Sequence, residues 1–374
     1  MRIAFLCKRR YMGKDVIDDR YGRLYEIPYQ LARLGHTVRG YCLSYQGAPG
    51  GTWSHDASPG LLEWESRPLD MGTVLYPAHL RRRLRYFRPD VIVGASDIPH
   101  VALAARLGQQ LDVPHALDLY DHFESFGQAR IPGIKTLLRR AVGGAPLVTT
   151  TSQMLADHVL SEYRARGNVL SMPSTVDKTV FRPLDKTQCR QALGLPTNAR
   201  LIGTAGGLLG NRGIGTLYDA WKQLAATDAS SHLVLAGPTD PQCPPPNGER
   251  VHYLGMLAHG QIAQLFNALD VGVIYLRDSL FGRYCFPQKA YEMAACGIAI
   301  VATRVGAMTD VLHDHPQCLY QTDNIEDLTR CIRQQLQHPT PPALLIDDWS
   351  KIIGKMEPHL RALTTKGFAT GARA

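Results

Sequence analysis

Short apolar runs rich in β-branched residues alternate with stretches of helical periodicity along most of the chain, and this alternation limits the folds available to it. Residues 2–7 form one apolar run, residues 24–34 place leucine and isoleucine at helical spacing, and residues 37–43 form a second apolar run. This β–α–β order is the building block of a parallel sheet. The same order restarts at residues 201–204. The sequence therefore predicts an α/β fold with two doubly wound domains.

Two segments interrupt the alternation. Residues 46–60 are rich in glycine, proline and serine, and they are predicted to form a surface loop. Residues 183–199 are polar, contain prolines and are interpreted as the connection between domains. The first domain is therefore predicted over residues 1–183 and the second over residues 184–345. Since doubly wound sheets bind ligands at the carboxyl ends of their strands, a cleft between the two domains is the expected ligand site.

The cysteines and the lengths of the apolar runs indicate in which cellular compartment the protein is expected. The 374-residue chain has eight scattered cysteines and no C-x-x-C pair, which favours reduced thiols over a disulfide framework or a zinc site. The first ten residues have too short an apolar run for a signal peptide. No window approaches the roughly 18 apolar residues of a membrane span. A cytoplasmic location is therefore expected.

Part of the net charge of +8 is concentrated between residues 81 and 88. Such a charge run can be a solvated face, a nucleic-acid patch or a surface that docks on anionic lipid. No nucleic-acid fold signature accompanies it, so nucleic acid is not expected as a partner. The membrane hypothesis rests on five arginines: Arg81, Arg82, Arg83, Arg85 and Arg88.

The segment 279–306 combines a helix start with a following buried strand. Pro287 suits the first helical position, where its missing N–H costs nothing, and Gly297 suits the helix end. Lys289 and Glu292 lie three residues apart and share one helix face. Free N–H groups, the helix dipole and a lysine make an anion site, and a nearby carboxylate can accept hydrogen bonds from a ribose diol. The alternative is an amphipathic helix with a surface Lys–Glu pair.

A glycine-rich loop, residues 204–213, follows the first strand of the second domain. Glycine lets a backbone approach phosphate closely, and Arg212 offers a planar fork of donors. The loop matches neither G-x-G-x-x-G nor the Walker A pattern. Taken alone, it could also be a tight turn.

The segment from residue 287 has the sequence PQKAYEMAACGIAIVAT, which resembles the donor-site signature of GT-B glycosyltransferases, most of all the retaining enzymes of glycosyltransferase family 4. Four other stretches resemble that family in the same order along the chain: QLARLGHTV, TTTSQMLADHVLSEY, MPSTVDKTVFRP and GGLLGNRG. The resemblance implies the GT-B fold, in which two Rossmann-like domains face a cleft. It also implies that the last helix, within residues 346–374, crosses back onto the first domain.

The resemblance further implies a nucleotide-sugar donor site in the second domain. Arg212 takes the place of the loop lysine that holds the donor diphosphate, and Lys289 fits the P-x-K-x-x-E form of the signature. Glu292 matches its second glutamate, which implies ribose binding. Tyr284 replaces the first glutamate of the family's E-x7-E pattern, near the donor sugar. The implied diphosphate contacts also include Gly22, Gly206 and Gly207, and the implied neighbours of the donor sugar also include Cys285 and Phe286.

A dense polar group follows one strand of the first domain: Asp118, Asp121, His122 and Glu124. The resemblance places a histidine or an acidic residue here, near the reacting carbon and the acceptor, so Asp118, Asp121 and His122 are the candidate catalytic residues. The alternative is a helix N-cap with His122 on the surface. Asp97 is a weaker second candidate. No D-x-D motif is present, so no metal is expected, and cationic groups would neutralise the leaving diphosphate.

Together these inferences predict a glycosyltransferase that moves a sugar from a nucleotide diphosphate sugar to a hydroxyl of a glycan, glycolipid or lipid-linked acceptor. The resemblance implies retention. Polysaccharide biosynthesis and a peripheral position at the inner face of a membrane are further expectations, and no cofactor beyond the co-substrate is expected. Two other classes remain open: a nucleotide-sugar 2-epimerase of the GT-B group and a non-catalytic nucleotide-sugar-binding scaffold.

Overall fold

The computed structural model describes residues 1–70, 74–286 and 288–365, which divide into two compact units. The first unit comprises Met1–Ser174 and the segment that begins at Trp349, and the second comprises Thr175–Asp348. This division lies upstream of the predicted boundary at residue 183. Pro287 and residues 366–374, which the sequence interpretation placed in helices, lie outside the described residues.

A largely parallel sheet forms the centre of the first unit. Its strands are β1 Arg2–Lys8, β4 Thr37–Ser44, β5 Gly51–Ala57, β6 Gly60–Pro68, β7 Val91–Gly94, β8 His115–Leu119, β9 Leu147–Thr150 and β10 Asn168–Ser171, and a separate short hairpin consists of β2 Arg10–Tyr11 and β3 Lys14–Asp15. The strand order is β10–β9–β8–β7–β1–β4–β6–β5, and β5 runs antiparallel to β6. The order reverses beside β1, as in a doubly wound sheet.

Helices cover both faces of this sheet. They are α1 Arg23–Arg33, α2 Tyr76–Phe87, α3 Ile98–Leu111, α4 Ile134–Gly144, α5 Gln153–Ser161 and the last helix of the chain, α13 Trp349–Thr365. Alternate residues of β1 enter two separate apolar cores, because successive side chains of a strand point to opposite faces. Phe5 packs in the core that includes α1 and α13, and Leu6 packs in the core that includes α2, α3 and α4.

The prediction of a surface loop over residues 46–60 is wrong, because β5 and the start of β6 occupy most of it. In β5, Trp53, His55 and Ala57 are less exposed than the residues between them, which is the period-2 pattern of a strand. Trp53 pairs with Trp64 of β6. The glycine, proline and serine content hid this alternation.

A second, fully parallel sheet forms the centre of the second unit. Its strands are β11 Arg200–Ala205, β12 Ser231–Ala236, β13 Val251–Tyr253, β14 Val271–Ile274, β15 Ala299–Thr303 and β16 Leu319–Tyr320, in the order β13–β12–β11–β14–β15–β16. Its helices are α6 Lys186–Ala192, α7 Ile214–Thr227, α8 His259–Ala268, α9 Leu280–Tyr284, α10 Gln288–Ala295, α11 Ala307–Val311 and α12 Ile325–Gln337. Both units therefore have the predicted doubly wound topology. Across the described residues, no helix is long and apolar enough to cross a bilayer.

The interpretation of residues 183–199 as an interdomain connection is also wrong. This stretch lies inside the second unit and contains α6, whose N-terminus is capped by Asp185. Arg190 of α6 is buried, and its guanidinium donates hydrogen bonds to the carbonyl oxygens of Ala268 and Thr197 and pairs with Asp270. The polar residues that suggested a linker are thus partly internal partners of the fold.

Candidate functional site

Polar groups gather where the strand order of the second unit reverses, between β11 and β14. Such a reversal opens a crevice at the carboxyl ends of the strands. Gly206 and Gly207 follow β11 directly, and Tyr275 follows β14 directly. The Tyr275 hydroxyl donates a hydrogen bond to the Gly207 carbonyl oxygen at 2.8 Å, which ties the two strand ends together.

The turn after β11 is held against the turn after β12. Gly206 has a φ of +108°, a backbone conformation that side chains disfavour. A Cβ on Gly237, which follows β12, would lie 2.2 Å from the Gly206 carbonyl oxygen, so only glycine allows this approach. The backbone N–H of Leu208 also donates to the carbonyl oxygen of Pro238 at 2.9 Å. The glycine turn is therefore a fixed platform.

Lys289 lies in the first turn of α10, and its ammonium group reaches this platform. A Cβ on Gly206 would lie 3.4 Å from Lys289 Nζ, which also lies 5.2 Å from the centroid of the Tyr275 ring. Burial lowers the pKa of Lys289 to about 8, and the charge of Arg212 acts in the same direction. Burial raises the pKa of Glu292, on the same helix, to about 7. Perturbed groups of this kind cluster at functional sites, because a ligand can supply the missing charge.

Arg212 brings a second cation to the glycine turn. It ends the 3₁₀ turn Gly210–Arg212, and its guanidinium carbon lies 4.7 Å from the centroid of the Phe281 ring. A Cβ on Gly207 would lie 3.8 Å from an Arg212 terminal nitrogen. Two cations beside a half-buried glycine turn can hold two phosphates. The second unit therefore brings together five of the candidate residues: Gly206, Gly207, Arg212, Lys289 and Glu292.

The three residues that were predicted near the donor sugar connect two helices. Tyr284 ends α9, a helix that the sequence interpretation did not separate from α10. Cys285 is buried, and its thiol lies 3.8 Å from the Gly282 carbonyl oxygen. The Phe286 ring packs on Tyr291, with ring centroids 5.0 Å apart. These contacts make Cys285 and Phe286 packing residues, and a place near a donor sugar stays a prediction for all three.

Asp118 in the first unit is fully buried in a closed polar network. Its two carboxylate oxygens share a bifurcated hydrogen bond from the single Nε–H of Arg23, and Oδ1 also accepts one from Arg23 Nη2, at distances of 2.6–3.0 Å. Thr149 donates a further hydrogen bond at 2.6 Å, and Arg23 also donates to the Met172 carbonyl oxygen. Because these partners occupy the carboxylate, Asp118 is better suited to positioning α1 against β8, β9 and β10 than to touching a substrate.

Asp121 and His122 follow β8 and lie nearer the surface than Asp118 does. The Asp121 carboxylate accepts a hydrogen bond from the His122 backbone N–H at 2.8 Å. The His122 ring is buried, with Nδ1 2.7 Å from the Ser125 hydroxyl and its centroid 4.9 Å from that of His158. Burial and the neighbouring His158 lower the pKa of His122 to about 4. At neutral pH, His122 is therefore an uncharged imidazole, and it is not the surface residue of the alternative interpretation.

Gly22 and Asp97 have defined structural positions in the first unit. Gly22 is the N-cap of α1 with a φ of +71°, and a Cβ there would lie 2.8 Å from the Tyr11 ring. Asp97 is the N-cap of α3 and accepts hydrogen bonds from the backbone N–H and the ring Nδ1 of His100. A diphosphate contact of Gly22 stays a prediction.

Sequence reasoning missed Arg23 and Tyr275. Arg23 carried a signal, because a cation in the first turn of a helix opposes the helix dipole and needs a specific partner. Tyr275 carried only its place at the end of an apolar strand. The described residues contain no group of three or more His, Cys, Asp or Glu side chains able to hold a metal ion. The cysteines are free thiols.

Two families match adjoining parts of the chain. Glycosyltransferase Family 4 matches residues 23–179, and Glycosyl transferases group 1 matches residues 199–338. Together the two matches cover most of the chain, and they support a glycosyltransferase of the GT-B fold that is similar to family 4. A D-inositol 3-phosphate glycosyltransferase from Stackebrandtia nassauensis is 30% identical over 185 residues, which is 45% of this chain and 40% of that protein. The alignment with a D-inositol 3-phosphate glycosyltransferase 1 from Catenulispora acidiphila, at 31% identity over 179 residues and 43% of this chain, spans 41% of that relative.

Solved structures of glycosyltransferases share the fold. A sucrose-phosphate synthase from Thermosynechococcus elongatus matches with a TM-score of 0.68 and 18% identity, covering 97% of this chain and 94% of that one. Anabaena HepE in complex with UDP-glucose matches with a TM-score of 0.66 and 17% identity, covering 98% of each chain. These likenesses confirm the predicted fold of two Rossmann-like domains.

We expect the Arg23→Met substitution to lower the free energy of unfolding of the first unit by about 3–5 kcal/mol, because it leaves the Asp118 carboxylate buried without its partner. Urea unfolding followed by circular dichroism measures the change. Arg33→Met removes an exposed arginine from the same helix and should cost less than about 0.5 kcal/mol. An equal loss in both variants would contradict the structural role of the buried pair.

Proposed function

We propose that this enzyme transfers a sugar from a nucleotide diphosphate sugar to a hydroxyl acceptor, with retention and without a metal. The observation that carries the proposal is the meeting of Arg212 and Lys289 at the Gly206 turn, at the strand-order reversal of the second unit. Two cations and the glycine backbone beside them suit a diphosphate. Glu292, one turn further along α10, suits a ribose diol. HepE, a structural relative, was solved with UDP-glucose, which supports this donor class.

In this proposal, the two cations stabilise charge that develops as the sugar–phosphate bond breaks. The leaving nucleoside diphosphate gains negative charge, and preorganised cations stabilise such charge most where water is partly excluded. The diphosphate also supplies a negative charge beside Lys289, which offsets the hydration that the ammonium group loses on burial. Metal independence follows as part of the proposal, because these groups take the neutralising role.

On the acceptor side, we propose that His122 meets the acceptor hydroxyl. A neutral imidazole can accept a hydrogen bond from a hydroxyl and withdraw a proton in the transition state. The contact between its Nδ1 and Ser125 fixes the orientation of the ring. Asp121 braces the same turn through its hydrogen bond to the His122 backbone. Asp118 acts as a positioning residue and does not contact the acceptor.

We further propose that the exposed face of α2 holds the enzyme at an anionic membrane that carries a lipid-linked glycan acceptor, in a polysaccharide pathway. Arg81, Arg85 and Arg88 are exposed. Each basic residue near an anionic lipid surface contributes about 1 kcal/mol to binding. Loss of binding to phosphatidylglycerol vesicles in the Arg81→Gln/Arg85→Gln variant is the outcome that this proposal requires.

A panel of nucleotide sugars, tested with and without EDTA, measures the proposed reaction. We expect one donor to release its nucleoside diphosphate at the same rate in EDTA, and Arg212→Gln to lower kcat/KM about 10-fold or more through loss of a charged contact. Lys222→Gln, which removes an exposed lysine from α7, is the matched control and should leave kcat/KM unchanged. Inversion at C2 of the sugar would identify an epimerase instead, and binding without turnover would identify a scaffold.

The affinity for the released nucleoside diphosphate should fall as pH rises through about 8. Below that value Lys289 is charged, and above it the side chain loses its proton, so the dissociation constant should rise by up to about tenfold per pH unit. Titration calorimetry between pH 7 and 9 measures this slope. Lys289→Arg should flatten it, since arginine keeps its charge. The same slope in both proteins would assign the titration to another group.

We expect His122→Gln to reduce transfer to the acceptor by about 10²–10⁴-fold while leaving donor binding intact, because it removes the base and not a phosphate contact. Steady-state kinetics and donor titration separate these two quantities. His338→Gln removes an exposed histidine and serves as the control. Unchanged transfer in His122→Gln would rule out the proposed role.

A further inference from the structure

The arginine-rich helix α2 has three faces with different surroundings. Its apolar side chains are buried in the core: Tyr76, Leu80, Leu84 and Phe87. A second set, at the i, i+3, i+4, i+7 spacing of one helical face, lines a cavity: His79, Arg82, Arg83 and Tyr86. Arg81 and Arg85 are exposed and do not line this cavity. The basic run thus divides between the cavity and the open surface.

The cavity has a volume of about 840 Å³ and lies between α2 and the β5–β6 hairpin. Gly50 to Thr52 form one part of the hairpin wall, and Glu65 to Pro68 form the other. Glu65 and Arg67 are two residues apart on β6, so they project from the same face of the strand. Arg67, Arg82 and Tyr86 on its wall are exposed, so the cavity is open to solvent. A groove of this size can accommodate a small molecule of nucleotide or sugar-phosphate dimensions.

The charges that line this cavity are unbalanced. Glu65 is satisfied within the wall, because Arg83 Nε donates to one carboxylate oxygen at 2.7 Å and His79 Nε2 lies 2.9 Å from the other. Through the part of the chain that the structure describes, Arg67 and Arg82 form no ion pair or side-chain hydrogen bond. Three guanidinium groups therefore face one carboxylate that is already engaged.

We propose that this cavity is a binding site for a phosphate-bearing ligand, distinct from the donor site and independent of the proposed transfer reaction. Arg67 on β6 and Arg82 on α2 approach one space from separate elements, and each presents a planar fork that matches phosphate oxygens. The Glu65 contacts hold Arg83 and His79 in place beside them. A solvated basic face would not need arginines on two elements to line one cavity.

The phosphate could belong to a soluble molecule or to a lipid headgroup, since the exposed arginines of α2 lie beside the cavity. The two sources share the same contacts with Arg67 and Arg82. A lipid headgroup is held at a membrane surface, whereas a soluble phosphate is free in solution. Binding to vesicles and binding to a soluble probe therefore distinguish the two sources.

Inorganic pyrophosphate is the soluble probe, measured by titration calorimetry at two salt concentrations. The host protein is the full chain with Arg212→Gln and Lys289→Gln, so that the proposed donor site does not contribute. In this host, we expect Arg67→Gln/Arg82→Gln to weaken pyrophosphate binding about 10-fold or more. The matched variant, Arg81→Gln/Arg85→Gln, removes the same charge from the same region outside the cavity and should change binding less than about 2-fold. Arg81 and Arg85 lie outside the cavity wall, and Arg67 and Arg82 are part of it. All four arginines are exposed, so the fold should tolerate the changes.

Phosphatidylglycerol vesicles form the second arm, with the same two double variants. Reduced vesicle binding in Arg67→Gln/Arg82→Gln, with competition by pyrophosphate, would assign the site to a lipid headgroup. Unchanged vesicle binding with loss of pyrophosphate binding would assign it to a soluble phosphate. The proposal is overturned if the host does not bind pyrophosphate, or if the two double variants weaken its binding equally, which would indicate diffuse charge attraction. Neither result depends on whether the enzyme transfers a sugar.

Discussion

The contact between the Lys289 ammonium and the Gly206 turn is the constraint around which the candidate donor site is built. It requires a backbone without a side chain at Gly206, a helix that starts within reach of the turn, and Tyr275 beside both. A partly buried ammonium loses hydration, and Glu292 restores only part of that loss, so the pKa of the lysine falls. A diphosphate in the same place would supply the remaining counter-charge.

The two units use buried charge in opposite ways. In the first, Arg23 and Asp118 satisfy each other, with Thr149 and the Met172 carbonyl oxygen completing the network. A buried pair that is fully hydrogen-bonded is costly to break but offers nothing to a ligand. In the second, burial and the positive charge of Arg212 oppose the charge of Lys289, and Glu292 offsets only part of their combined effect. This contrast separates a positioning residue from a binding residue more clearly than residue type does.

The basic run on α2 shows how secondary structure divides a charge cluster. In sequence, the arginines from 81 to 88 form one group with one net charge. On a helix they point in different directions, so Arg82 and Arg83 line the cavity, whereas Arg81 and Arg85 lie outside it. The β5–β6 hairpin gives the cavity its second wall, and the prediction of a surface loop over residues 46–60 hid strand β5 of that hairpin. The basic run therefore supports two separate hypotheses: membrane contact through Arg81 and Arg85, and a phosphate site that includes Arg82.

The sequence by itself determined the α/β class, the two doubly wound halves and the Lys289–Glu292 spacing, because helical and strand periodicity and the signature around residue 289 are local patterns. It could not show that Asp118 is occupied, since its partner Arg23 lies 95 positions away in the chain. Nor could it place residues 46–60 in strands, because the pairing of Trp53 with Trp64 outweighs the turn-forming residues around them. The tertiary structure alone decided which polar residues are satisfied internally and which still face open space. The reason is that hydrogen-bond satisfaction and desolvation depend on neighbours brought together by folding, whereas periodicity depends on the order of residues.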